Sequence, residues 1–138
     1  WPRAASAHGM SPQEAIAAAR TARQSWIELE PATDGQPAKR VQLLRPREAE
    51  LQDFTPKPGQ SDIERMVGCA VKYVTGWDGI TMADLLGAAI APADPAPFDA
   101  RLWAEVLPDR MDWLNTVAAG LMDVIATHQR NRAAAAKN

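Results

Sequence analysis

One cysteine, Cys69, and two histidines, His8 and His128, are the only soft-metal ligands and near-neutral proton carriers in the sequence. A structural or catalytic metal needs several such groups at ligand spacing, and these three are scattered singly along the chain. Paired carboxylates are the other pattern that does chemistry. Asp109 with Asp112 and Glu28 with Glu30 each fall on one face of their segment, but the first pair sits at a helix start and the second on the polar face of a strand. Capping and solvation account for both, since acid–base work needs a pocket that shifts a pKa. No Gly-x-Ser-x-Gly, phosphate-binding loop or Gly-x-Gly-x-x-Gly sequence occurs. The residues therefore point away from an enzyme, and no cofactor or metal is expected.

What remains is chemistry of binding. Five tryptophans stand in 138 residues, and Trp26, Trp77, Trp103 and Trp113 each accompany an apolar face. Such residues either fill a core or anchor an interface. Lys39, Arg40, Arg45 and Arg47 form a basic cluster, by default a solvated surface and otherwise a contact for an acidic partner or nucleic acid. A net charge of −2 and a pI near 5.7 argue against a dedicated nucleic-acid binder, which needs a surplus of clustered cations. Cys69 has no second cysteine to pair with and is expected to be a small core residue in a reducing compartment. No apolar run is long enough to span a bilayer, so no membrane partner and a cytoplasmic location are expected.

The elements that must hold these residues are well punctuated. Ser11-Pro12-Gln13-Glu14 opens a short helix to Arg23, whose only large apolar side chain is Ile16, so it is expected to be peripheral. Two alternating segments, Ser25–Glu30 and Lys39–Arg45, predict a β-hairpin whose apolar face needs a helical floor. Ser61 and Glu64 open a central helix with Ile63, Met66, Val67, Ala70, Val71 and Val74 at helical spacing. It is expected to end at Gly76 in a left-handed turn, with Trp77 folding back. Thr81 and Asp84 open a short helix through Leu85 and Leu86. Asp99 caps the next one, with Phe98 placed to staple onto Trp103, and Pro108-Asp109 starts the last helix, over 110–128.

The fold expected is α+β and predominantly α-helical, an N-terminal hairpin packed on a compact bundle of about four helices. Residues 1–10 are expected to be a disordered tail or an expression remnant. Residues 11–138 make a single domain, with the hairpin over 25–45, a helical body over 61–128 and a frayed tail over 129–138.

At the Trp77 corner the sequence resembles a known family. A helix leads into VTGWDGIT, then a Leu-Leu-Gly segment, then PADPAPFDARLWAEVLPDR, then a helix with an Ala-Lys-Asn ending, preceded by RTARQSWIELEP and RVQLLRPREAEL. This arrangement, over about residues 17–138, resembles the tail assembly chaperones of tailed bacteriophages and prophages. The resemblance implies a non-enzymatic protein of the bacterial host cytoplasm that binds the tape-measure protein during tail morphogenesis, with the tail-tube protein as a second partner and self-association as a further contact. Trp77, Leu85, Trp103 and Trp113 are the expected partner-binding residues, chosen from residue type and predicted face. Two alternatives stay open: a structural neck or connector component of the virion, and a small DNA-binding regulator that uses the basic hairpin.

Overall fold

The computed structural model describes residues 9–137; the expected tail therefore lies almost wholly outside the described residues, as do Trp1 and His8. Helix α1 (Pro12–Ala22) is followed by strands β1 (Gln24–Glu30) and β2 (Lys39–Leu44), and then by a 3₁₀ segment, Glu48–Phe54. Next come α2 (Asp62–Tyr73), β3 (Val74–Asp78), α3 (Met82–Leu86), α4 (Ala100–Val106) and a 3₁₀ turn, Leu107–Asp109. The long α5 (Met111–Ala136) closes the fold. The α+β class is thus as the sequence predicts.

The three capping boxes form as the spacing requires. In each, the cap hydroxyl of Ser11, Ser61 or Thr81 accepts from the backbone N–H of Glu14, Glu64 or Asp84, whose carboxylate accepts from the cap N–H in return. Asp99 caps α4 by accepting from the N–H groups of Arg101 and Leu102. Helix α1 buries no residue, and Ile16 stands 70 % exposed, as its alanine-rich composition predicts.

The hairpin is the first part of an antiparallel sheet in the order β1-β2-β3. Ile27 pairs with Val41, and Val41 with Trp77, so one apolar row crosses all three strands. This sheet lies on α5 at Gly120, where a side chain would run into Ile27 and Leu43. Gly120 is what lets the helix approach.

The third strand corrects the sequence reading of Val74 to Gly76. The helix ends at Tyr73, Val74 is already extended (φ −99°, ψ 122°), and Gly76 is not left-handed. The β-branched pair Val74-Thr75 disfavours another helical turn, and the open edge of β2 satisfies the backbone instead. At this corner the left-handed glycine is Gly79, at φ +77°. Two smaller differences follow from packing. Phe98 meets Trp77 edge-on, at 4.9 Å between centroids. Helix α5 starts one residue late, with Arg110 at its cap and no side-chain cap bond, and it runs about two turns beyond His128. An Arg132–Glu48 ion pair ties that extension to the 3₁₀ segment, and the alanines of 133–136 favour helix intrinsically.

Candidate functional site

The four tryptophan-face residues expected at a binding surface are in the core. Trp103 and Trp113 are fully buried, and Trp77 and Leu85 are each 8 % exposed. Trp77, Trp103 and Trp113 form a row, with centroids 6.1 Å apart at each step. Each indole N–H has an internal acceptor: the Ala96 carbonyl at 2.7 Å for Trp77, the Ala70 carbonyl at 3.2 Å for Trp103, and Glu30 Oε2 at 2.8 Å for Trp113. The Arg110 guanidinium covers Trp113, 3.7 Å from its ring centroid, and also donates to Glu30 and Asp112. The structure brings three of the four residues into one cluster, but that cluster offers a partner no surface.

The basic cluster is largely neutralised within the chain. Arg40 donates to Asp78 at 2.7 Å, Lys39 lies between Glu30 and Asp84, and Arg47 pairs with Glu50. Among the described residues no group of three His, Cys, Asp or Glu is placed to hold a metal ion, and none of the helices is long and apolar enough to cross a membrane.

An apolar groove lies elsewhere, between α2 and α5. It has a cavity volume of about 320 Å³ and is lined by Phe54, Met66, Cys69, Ala118, Ala119, Leu121 and Met122, with Arg65 at its rim. Cys69 and Leu121 form a buried floor, while Ala119 is exposed and Met122 is 53 % exposed. The groove exists because Ala118 and Ala119 end at Cβ and leave the space between the helices unfilled. Met66 and Met122 flank it with flexible, polarisable side chains that adapt to irregular apolar surfaces. The Cys69 thiol donates to the Asp53 carbonyl at 3.4 Å, and burial pushes its pKa up. It is a packing group and no nucleophile.

At Arg65 and Cys69 the groove meets a smaller polar cavity of about 200 Å³, also lined by Asp53, Lys57, Gln60, Gly68 and Lys72. Asp53 accepts from Lys72 Nζ at 2.7 Å and from the Tyr73 hydroxyl at 2.6 Å, and these bonds hold its carboxyl below the usual range. Arg47 does the same for Glu50. A carboxylate whose folded pKa is depressed contributes stability that is complete above its unfolded value of about 4 and is lost as pH falls toward the folded one. Asp53→Asn is expected to cost about 1 kcal/mol at pH 7, the low end for a charge-assisted bond because solvent screens Lys72. Urea unfolding should show the gap between variant and parent closing as pH falls below the unfolded carboxylate value of about 4; a gap independent of pH would refute the electrostatic account.

Sequence reasoning missed this groove. Helical spacing places Met66 on the apolar face of α2, and the cue that marks the site is the small-residue run Ala118-Ala119-Gly120 between Leu114 and Val117 on one side and Leu121 and Val124 on the other. Its first two members, Ala118 and Ala119, line the groove, while Gly120 faces the sheet. Comparison with protein-family models, with curated proteins and with solved structures finds no match for this chain.

Proposed function

We propose that this protein is a non-enzymatic tail assembly chaperone of a phage or prophage that holds an apolar helix of the tape-measure protein in the groove between α2 and α5. The observation that carries the reading is that groove: an uncovered apolar trough with methionine flanks, of the kind that takes an amphipathic helix by its i, i+3, i+4 and i+7 side chains. The resemblance around VTGWDGIT and PADPAPFDARLWAEVLPDR supplies the partner. The regulator reading has less behind it, because three of the four cations, Lys39, Arg40 and Arg47, are already paired with Glu30, Asp84, Asp78 and Glu50. The connector reading draws on α1, which presents Ile16 with nothing packed over it. It calls for stable closed oligomers in size-exclusion chromatography.

Co-expression with the neighbouring tape-measure gene tests the proposal. The chaperone should keep the tape-measure protein soluble and co-purify with it. Met122→Glu places a charge in the groove at a half-exposed position and is expected to weaken capture at least about tenfold while shifting stability by no more than about 0.5 kcal/mol. Co-purification undiminished by Met122→Glu would remove the groove from the mechanism, and no co-purification at all would remove the chaperone reading.

A further inference from the structure

The groove is polarised, and that polarity specifies its occupant. Its apolar trough joins the polar cavity through two shared residues, Arg65 and Cys69. Three cations, Lys57, Arg65 and Lys72, line that cavity against one carboxylate, Asp53. Asp53 is already engaged by Lys72 and Tyr73. Arg65 is only half used: its Nη2 donates to Asp62 at 2.7 Å, while its Nη1 is buried with no hydrogen-bond partner. The Gln60 Oε1 in the same cavity is likewise buried and unpartnered. Turned about its last bond, that amide offers an N–H in place of the oxygen. A buried guanidinium N–H without an acceptor is unfavourable, and a carboxylate relieves it best, since it accepts from two donors at once in a charge-assisted bond. Gly68, beside them, has open space where a side chain would be. The cationic end is accessible through the exposed Lys57 and Lys72, in a protein whose net charge is −2.

We propose that the segment bound in this groove is an amphipathic helix of a partner protein that carries an acidic side chain beside its apolar anchors, with the carboxylate received by Arg65, Lys57 and Gln60. The inference rests on the groove reading of the preceding section and adds its polarity. The apolar stripe supplies affinity, and the carboxylate sets the direction and register in which the helix lies.

Two synthetic fluorescein-labelled amphipathic peptides of about 18 residues, long enough to hold a helix, serve as probes. They share a leucine and alanine stripe and differ only by a glutamate or a lysine at the stripe's edge. Fluorescence anisotropy with the full chain at low salt is expected to show the glutamate peptide binding about tenfold more tightly, as one partly desolvated charge pair gives. That preference should shrink as salt is raised. Arg65→Met, which keeps the stem's packing, and Lys57→Glu, at an exposed position, should each abolish it. Thermal melts establish that Arg65→Met is folded, and Lys57→Glu carries the test if it is not. Equal binding of both peptides, or a preference unchanged in the folded variants, overturns the polarity and leaves the groove standing. Failure of both peptides to bind overturns the polarity and the groove together.

Discussion

Trp103→Ala is expected to cost about 3–5 kcal/mol, enough to bring a domain of this size close to unfolding. Trp103 is fully buried in the middle of the aromatic row, stacked on Trp113 at an interplanar angle of 23° and edge-on to Trp77 at 61°. Truncation removes contacts on both sides, and no single neighbour can move to fill a void that three elements enclose. It also strips the Ala70 carbonyl, in the last turn of α2, of its indole donor. The cavity is the larger part of the loss. Trp26→Ala is the comparison. Trp26 is 44 % exposed beneath the Arg40 guanidinium, 5.0 Å from the ring centroid, and its loss is expected to cost no more than about 1 kcal/mol. Urea unfolding followed by far-ultraviolet circular dichroism measures both. Similar losses for the two variants would mean that the row Trp77–Trp103–Trp113 is not the centre of the core.

These tryptophans mark the boundary of what is legible in the sequence. Cap chemistry is local, and a hydroxyl with an acidic residue three places on has one good use, so Ser11, Ser61 and Thr81 could be read directly. The alternation of Trp26–Glu30 and of Lys39–Leu44 is local too, and the hairpin with its need for a helical floor followed. Whether an apolar face is covered is not a local property. Trp77, Trp103 and Trp113 have the residue type and periodicity of interface anchors, and they are core because β3 and α5 close over them. The third strand was hidden for a related reason. Val74 continues the three-four spacing of α2, so helical periodicity runs past the point where the chain turns extended, and only the unpaired edge of β2 decides the matter. The groove was hardest of all. It is built from side chains that Ala118 and Ala119 do not have, beside a second helix distant in sequence, and its orphaned Arg65 nitrogen emerges only once the helix–helix geometry is known.

Gly79→Ala is expected to destabilise by about 2–4 kcal/mol, through two terms that a second variant separates. The first is conformational: Gly79 sits at φ +77°, where a β-carbon crowds the carbonyl oxygen, at about 1–2 kcal/mol. The second is the approach of the chain across the sheet. A β-carbon at Gly79 would fall inside the contact distance of the Ala38 carbonyl oxygen and lie 3.2 Å from the Ala38 carbonyl carbon. That obstacle is backbone, so no rotamer change relieves it. It is also the point where the chain enters β2, one residue before Lys39, just as Gly79 follows the end of β3 at Asp78. Moving either side strains the Arg40–Asp78 pairing and the Val41–Trp77 pair next to it. Gly59 has the same sign of φ, +76°, with nothing within 4 Å of a built β-carbon, so Gly59→Ala carries the first term alone. The difference between the two variants in urea unfolding measures the Ala38 contact. If they prove equal, the end of β3 does not press against the entry to β2, and Trp77 is held in the core by its own packing without help from the strand end that follows it.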